Sequence, residues 1–207
     1  MSLITAVILA AGKGSRMKSD LPKVLHRVNG KSMLSYCIEA ACKGGAEDVV
    51  LVLGHQAQMV RDHLQEDYHY AIQEPQLGTG HALQMAMPAV GLDCQYLLVL
   101  CGDTPLLRGE TIESLLQYAS AERSACTVLS AVLDDPSGYG RLIRDDQGNL
   151  QAIVEEKDAN QQEKAVREIN TGTYCFSFED IAPLINNLDN NNAQGEYYLT
   201  DLIAALV

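Results

Sequence analysis

Continuous apolar runs alternate along this chain with segments whose apolar residues recur at helical spacing. The runs Ile4 to Ala11 (ITAVILAA), Asp48 to Gly54 (DVVLVLG), His69 to Ile72 (HYAI) and Gln95 to Asp103 (QYLLVLCGD) have the pattern of strands buried on both faces of a parallel sheet. Between them, Ser32 to Lys43, Gln56 to Gln65, Thr79 to Met87 and Gly109 to Glu122 place apolar residues on one helical face, as with Ile112, Leu115 and Leu116. Repeated βαβ units of this kind predict a doubly wound, mostly parallel α/β sheet.

After Thr127 the pattern changes. TVLSAVL reads as a strand, and RLIRDDQGNLQAIVEE reads as a hairpin turned at Asp146 to Asn149. A polar loop through Lys164 precedes the short strand TYCFSF, and NNLDNNNAQGE leads as a loop into a last helix at Tyr198 to Ala205. Strands without helices between them predict an antiparallel layer appended to the parallel part. No Pro/Gly/Ser linker divides the two, so residues 1–207 read as one domain with two functional halves.

Charge sharpens the picture. The 207 residues carry a formal net charge of -12, which opposes non-specific binding to nucleic acid or to an anionic membrane surface. Yet Lys13, Arg16, Lys18, Lys23, Arg27 and Lys31 face only Asp20 among the first 31 residues. The six cysteines form no C-x-x-C pair and no regular spacing with histidine, so reduced thiols and a cytoplasmic protein are expected. The first apolar run is too short to span a bilayer and has no basic segment ahead of it.

The positive charge surrounds LAAGKGSRMKSDLPK, Leu9 to Lys23, which leaves the first strand where a doubly wound sheet opens its ligand crevice. Gly12 and Gly14 let backbone amides approach an anion, and phosphate is the natural guest. The dinucleotide fingerprint fails because Met17 stands where its third glycine belongs. A P-loop around Gly30-Lys31-Ser32 fails because Leu25 replaces its leading glycine. A tight turn with solvated lysines remains the plain alternative.

LAAGKGSRM followed by LPK resembles the signature loop of the sugar-nucleotide pyrophosphorylases, which join a nucleoside triphosphate to a sugar 1-phosphate. QLGTGHA (76–82), Gly102-Asp103, DDPSGYGRL (134–142), VEEKDA (154–159), EINTG (168–172) and NNNAQGEYYLTD (190–201) follow in order across essentially the whole chain. Together they resemble the uridyltransferase half of the bacterial two-domain enzymes that make UDP-N-acetylglucosamine for the cell wall.

The resemblance implies a Rossmann-like nucleotidyltransferase fold whose antiparallel part holds the sugar, with UTP and N-acetylglucosamine 1-phosphate as substrates. It implies that Leu9, Ala10, Ala11 and Gly12 line the nucleoside side, that Arg16 and Lys23 meet the triphosphate as the catalytic cations, and that Gln73, Gly78 and Thr79 surround the base. Without the resemblance, Thr79 reads as a helix cap. Asp103 is implied as the Mg²⁺ ligand; read alone it is equally a turn cap. Gly140, Glu155 and Asn170 are implied for the sugar phosphate, against plain readings as a strand end and turn. Cys101 departs from the family, which often has an aromatic there. Lys18 and the histidines, His81 included, read as ordinary residues.

In the resembling enzymes a left-handed β-helix domain carries acetyltransferase activity and trimerisation, and a later asparagine supplies a second Mg²⁺ ligand. Neither lies within these residues, so the sequence reads as a truncated chain without acetyltransferase activity. Another sugar-1-phosphate nucleotidyltransferase, or a non-catalytic sugar-nucleotide-binding module, remains as an alternative.

Overall fold

A computed structural model of the chain describes residues 3–12, 14, 17–64 and 67–207. Four parallel strands form one half of the main sheet: β1 (Leu3–Leu9), β4 (Asp48–Leu53), β5 (His69–Ile72) and β6 (Cys94–Cys101), in the order β5-β4-β1-β6. The sheet order reverses between β1 and β6, the switch point at which doubly wound sheets bind ligands. A small hairpin, β2 (Arg27–Val28) with β3 (Lys31–Ser32), stands apart.

The antiparallel strands continue this same sheet edge to edge and do not lie over it as a second layer. β10 (Glu168–Ser177) runs antiparallel beside β6, with Tyr174 opposite Val99, and β7 (Cys126–Val132) pairs with its other edge. The hairpin of β8 (Arg141–Arg144) and β9 (Leu150–Val154) joins through Ile169 opposite Arg141. Its turn is closed by Asp145, which accepts from the amides of Gln147 and Asn149, with Gly148 at φ 87°. β10 is longer than the TYCFSF run because its first half, in which only Ile169 is buried, carries no continuous apolar signal. A bulge after Asn170 divides the two halves.

Helices cover both faces. α1 (Met33–Lys43), capped by Ser32, and α4 (Gly109–Glu122) bury Leu34, Ile38, Ile112 and Leu116 against Ala6, Ile8, Leu98 and Leu100. α2 (Ala57–His63) adds Val60 to this face. On the opposite face α3 (Thr79–Ala86), α6 (Phe178–Ile181) and α7 (Asp201–Leu206) pack Leu83, Ile181, Leu202 and Ile203 against Val7, Val52, Val99 and Phe176. α7 begins later than the helix expected at Tyr198, because the preceding residues make contacts of their own. The polar stretch before Lys164 contains one short helix, α5 (Gln161–Lys164), set by an Asn160/Glu163 capping box. No helix among the described residues is long and apolar enough to cross a membrane.

One ion pair ties the late strands together. Arg144 of β8 donates to both carboxylate oxygens of Glu168 on β10, at 2.7 and 2.8 Å, and Ser130 of β7 donates to the same carboxylate at 2.7 Å. The Arg144 guanidinium holds the Glu168 carboxyl at about 2, well below the usual carboxylate range. A depressed folded-state pKa gives stability that is complete above the unfolded value and lost as pH falls through the folded one. The stability gap between the wild type and Glu168→Gln is therefore expected to stay constant above about pH 5 and to shrink towards pH 2. Urea unfolding of both proteins across that range measures it; a gap independent of pH would show that the pair contributes nothing.

Candidate active site

The chain leaves the sheet at adjacent points after β1 and β6. Ala10 still donates to Val52 at 2.8 Å and Gly102 to Leu9 at 2.9 Å, so the backbone is pinned to the ends of both strands before it turns. Just beyond, a cleft of 590 Å³ is lined on one side by Leu9 to Gly12 and Lys23, and on the other by Gln73, Gln76, Gly78 and Thr79. Cys101 and Asp103 form its floor at the end of β6.

Lys23 is held by its neighbours. It opens a 3₁₀ turn after Pro22, and Val24 and Leu25 behind it are buried. Gly14 lies at φ +59°, and a Cβ there would fall 2.7 Å from Lys23 Cβ, so only glycine lets the loop fold this closely over the lysine. The Lys23 ammonium pairs with the Asp103 carboxylate across the cleft. Lys18 is exposed. Arg16 and Lys13 lie outside the described residues.

On the facing wall, Gln73 follows β5 and donates its own amide to Leu53 at 2.8 Å. Its side chain is buried, with Nε2 2.8 Å from the Gly78 carbonyl and 3.2 Å from His81 Nδ1. Gly78, at φ 111°, caps α3, and a Cβ there would stand 2.6 Å from the Tyr197 carbonyl oxygen. Thr79 is not the cap. Its hydroxyl accepts from Leu199 N at 3.1 Å, which ties α3 to the segment before α7.

That segment, to which the sequence pattern assigns no role, closes one wall of the site. Tyr197 accepts from Gly80 N at 2.7 Å and donates to Leu77 O at 2.8 Å, while Glu196 lines the cleft. Gln76, likewise unassigned, lines the cleft and donates to the Ala11 carbonyl, joining the first loop to the second. The motifs QLGTGHA and GEYYLTD were the available signals for both.

Gly140, Glu155 and Asn170 come together where β8, β9 and β10 meet. A Cβ built on Gly140 would lie 3.4 Å from Glu155 Oε2 and 3.5 Å from Asn170 Cβ. Asn170 donates to Tyr174 Oη at 2.6 Å and accepts from Gly172 N at 3.0 Å. Glu155 accepts from Thr200 Oγ1 at 3.4 Å. Burial first, and then the charges of Asp158, Asp201 and Glu196, push the Glu155 carboxyl up. The neighbouring Arg141, 2% exposed, fixes the Gly140 strand by donating to Val166 O and to Glu156 at 3.1 and 2.7 Å.

The two groups of residues are linked: Cys101 Sγ contacts the Gly172 carbonyl at 3.7 Å, and Gly172 is held by Asn170. Burial, reinforced by the Asp103 charge, pushes the Cys101 thiol up to about 12. It is a protonated wall of the cleft and not a nucleophile.

Asp103 suits a hard cation held jointly with a ligand. Its carboxylate faces the cleft, where Lys23 pairs with it, and carboxylate oxygens are the donors that a hard cation takes. Among the described residues no cluster of three or more His, Cys, Asp or Glu could form a complete metal cage. One carboxylate with phosphate oxygens and water is a usual arrangement for Mg²⁺.

The crevice lies at the switch point of the sheet, and the chain belongs to the MobA-like NTP transferase domain family, which matches residues 6–167. Among its relatives is the Bifunctional protein GlmU of Halalkalibacterium halodurans, 50% identical over 206 residues, covering 100% of this chain and 45% of that protein. The Bifunctional protein GlmU of Pelobacter propionicus is 51% identical over 206 residues, covering 99% and 45% respectively. The chain thus spans less than half the length of these curated relatives. The fold is similar to UDP-glucose pyrophosphorylase complexed with UDP-glucose, with a TM-score of 0.82 at 18% identity, covering 98% of this chain and 86% of that one.

Proposed function

We propose that the chain transfers a uridylyl group from UTP to N-acetyl-α-D-glucosamine 1-phosphate, giving UDP-N-acetylglucosamine and pyrophosphate. The observation that carries this reading is the convergence of Gly12, Lys23, Asp103 and Gln73 on one cleft at the carboxyl ends of β1 and β6. The bacterial GlmU relatives and the pyrophosphorylase-like fold support it.

In the reaction a phosphate oxygen of the sugar phosphate attacks the α-phosphorus of UTP as the bond to pyrophosphate breaks, with no covalent protein intermediate. The residues therefore position two polyanions and neutralise them. Gln73 holds the uracil edge, and backbone groups from Leu9 to Gly12 border the nucleoside. Lys23 offsets charge as pyrophosphate departs, and Arg16 is assigned to the same triphosphate. Gly140 allows the sugar phosphate to approach the backbone, while Glu155 accepts from sugar hydroxyls and Asn170 pairs with the N-acetyl group. Asp103 would hold Mg²⁺, which supplies electrostatic stabilisation of the phosphates when bound.

Pyrophosphate release from each of the four ribonucleoside triphosphates with a panel of sugar 1-phosphates tests this proposal. UTP with N-acetylglucosamine 1-phosphate is expected to give the highest kcat/KM, and Glu155→Gln to raise KM for the sugar phosphate while leaving KM for UTP unchanged. Preference for CTP or mannose 1-phosphate would overturn the assignment. Binding of UDP-N-acetylglucosamine without any pyrophosphate release would indicate a binding module.

A further inference from the structure

The structure points to a role for His81, which we infer positions Gln73 so that the side-chain carbonyl oxygen alone is offered to the base, making His81 a determinant of uracil over cytosine. This rests on the proposed placement of the base against Gln73.

A glutamine amide can present either its oxygen or its NH₂ group to a ligand, and the two choices select opposite base edges. Gln73 is 4% exposed, and the end of its amide nearest α3 lies 2.8 Å from the Gly78 carbonyl oxygen. Two oxygens at that distance would repel, so the NH₂ group must be the one facing Gly78. The same nitrogen lies 3.2 Å from His81 Nδ1. An NH₂ group only donates, so Nδ1 must accept and the histidine proton sits on Nε2. Both N–H bonds of Gln73 are then committed to protein acceptors, and Oε1 is what remains for the cleft that the residue lines.

An acceptor at that point matches the N3–H of uracil and opposes the unprotonated N3 of cytosine. The Gly78 carbonyl is already shared, since it also accepts from Ala82 N at 3.1 Å. It is therefore a weaker single anchor for the amide, and His81 supplies the second. His81 is itself seated on α3, the helix capped by Gly78, with its ring 6.2 Å from that of Tyr197. The base-reading amide and the groups that orient it thus belong to one short segment, Gln73 to His81.

The test compares kcat/KM for UTP and CTP in the wild type, Gln73→Ala, His81→Phe and His81→Asn. His81→Phe keeps an aromatic ring but removes the acceptor. It is expected to lower the UTP:CTP preference about five-fold, the loss of one ordinary hydrogen bond, through a higher KM for UTP at nearly unchanged kcat. His81→Asn, whose side-chain oxygen can accept near the position of Nδ1, should restore the preference. If Gln73→Ala leaves the preference intact, the placement of the base fails. If Gln73→Ala abolishes it while His81→Phe does not change it, or if His81→Phe and His81→Asn behave alike, the inference about His81 is overturned. A ¹⁵N spectrum of the wild-type protein above neutral pH reads the tautomer without any variant. Unprotonated Nδ1 with protonated Nε2 is expected, and the opposite tautomer would overturn the inference.

Discussion

Asp103→Ala is expected to lower turnover with UTP and N-acetylglucosamine 1-phosphate on the order of 10²-fold or more, the scale of losing a preorganised electrostatic group at a reacting centre. The carboxylate sits at the end of β6 on the floor of the cleft, paired with the lysine from the opposite loop. Its removal takes away the one acid proposed to hold Mg²⁺ and leaves Lys23 without its anchor. The loss should therefore appear in kcat and as a weaker dependence on added Mg²⁺, while the fold is retained, because the carboxylate faces the cleft and is not part of either apolar core. Initial rates of pyrophosphate release over a Mg²⁺ titration measure both quantities. A loss below about ten-fold with an unchanged metal dependence would remove Asp103 from the account.

Lys23→Ala should cost a similar factor, about 10²-fold in kcat, for a different reason. Its ammonium is a point charge beside the glycine loop, and in the proposed reaction that charge counts most while pyrophosphate leaves. The finished sugar nucleotide carries no such leaving group, so its affinity should fall much less than turnover. Lys23→Arg is not expected to restore activity, because a planar guanidinium does not reproduce the ammonium position under the tightly folded Gly14. Since Lys23 and Asp103 are ion-paired, the two substitutions should not multiply: the double variant should lose far less than the product of the single losses. Steady-state rates, with equilibrium binding of UDP-N-acetylglucosamine alongside, check the set. Equal losses in affinity and turnover would assign Lys23 to ground-state binding.

The parts of this fold written in local pattern were legible in the sequence. The apolar runs became β1, β4, β5 and β6, and Gly109 to Glu122 became α4 with the expected ends. What the sequence left open was pairing across distance. No local signal shows that β10 lies against β6 and extends a single sheet, because a strand's hydrophobic pattern does not name its neighbour. The same holds within the site. Gly12, Lys23 and Asp103 were readable as a loop and a strand end, whereas the hydrogen bond from Gln76 to Ala11 and the clasp of Tyr197 on Leu77 and Gly80 join residues far apart in the chain. Thr79 shows how tertiary contact overrides local chemistry: a hydroxyl at a helix start suggests a cap, yet here it accepts from Leu199 and leaves the cap to Gly78. His81 read as an ordinary helix-face histidine because its partner, Gln73, belongs to the preceding loop.

The proposed reaction needs the nucleotide in the cleft at the ends of β1 and β6 and the sugar beside it, where β8, β9 and β10 meet. A crystal structure with UDP-N-acetylglucosamine and Mg²⁺ tests it most directly. Uracil is expected against Gln73 and Gly78, the diphosphate between Gly12 and Lys23, and the sugar beside Gly140, Glu155 and Asn170. A nucleotide bound instead in the groove between α1 and α4, against Tyr36, Lys43 and Arg108, or lying in the cleft with its sugar directed away from Glu155 and Asn170, would contradict it.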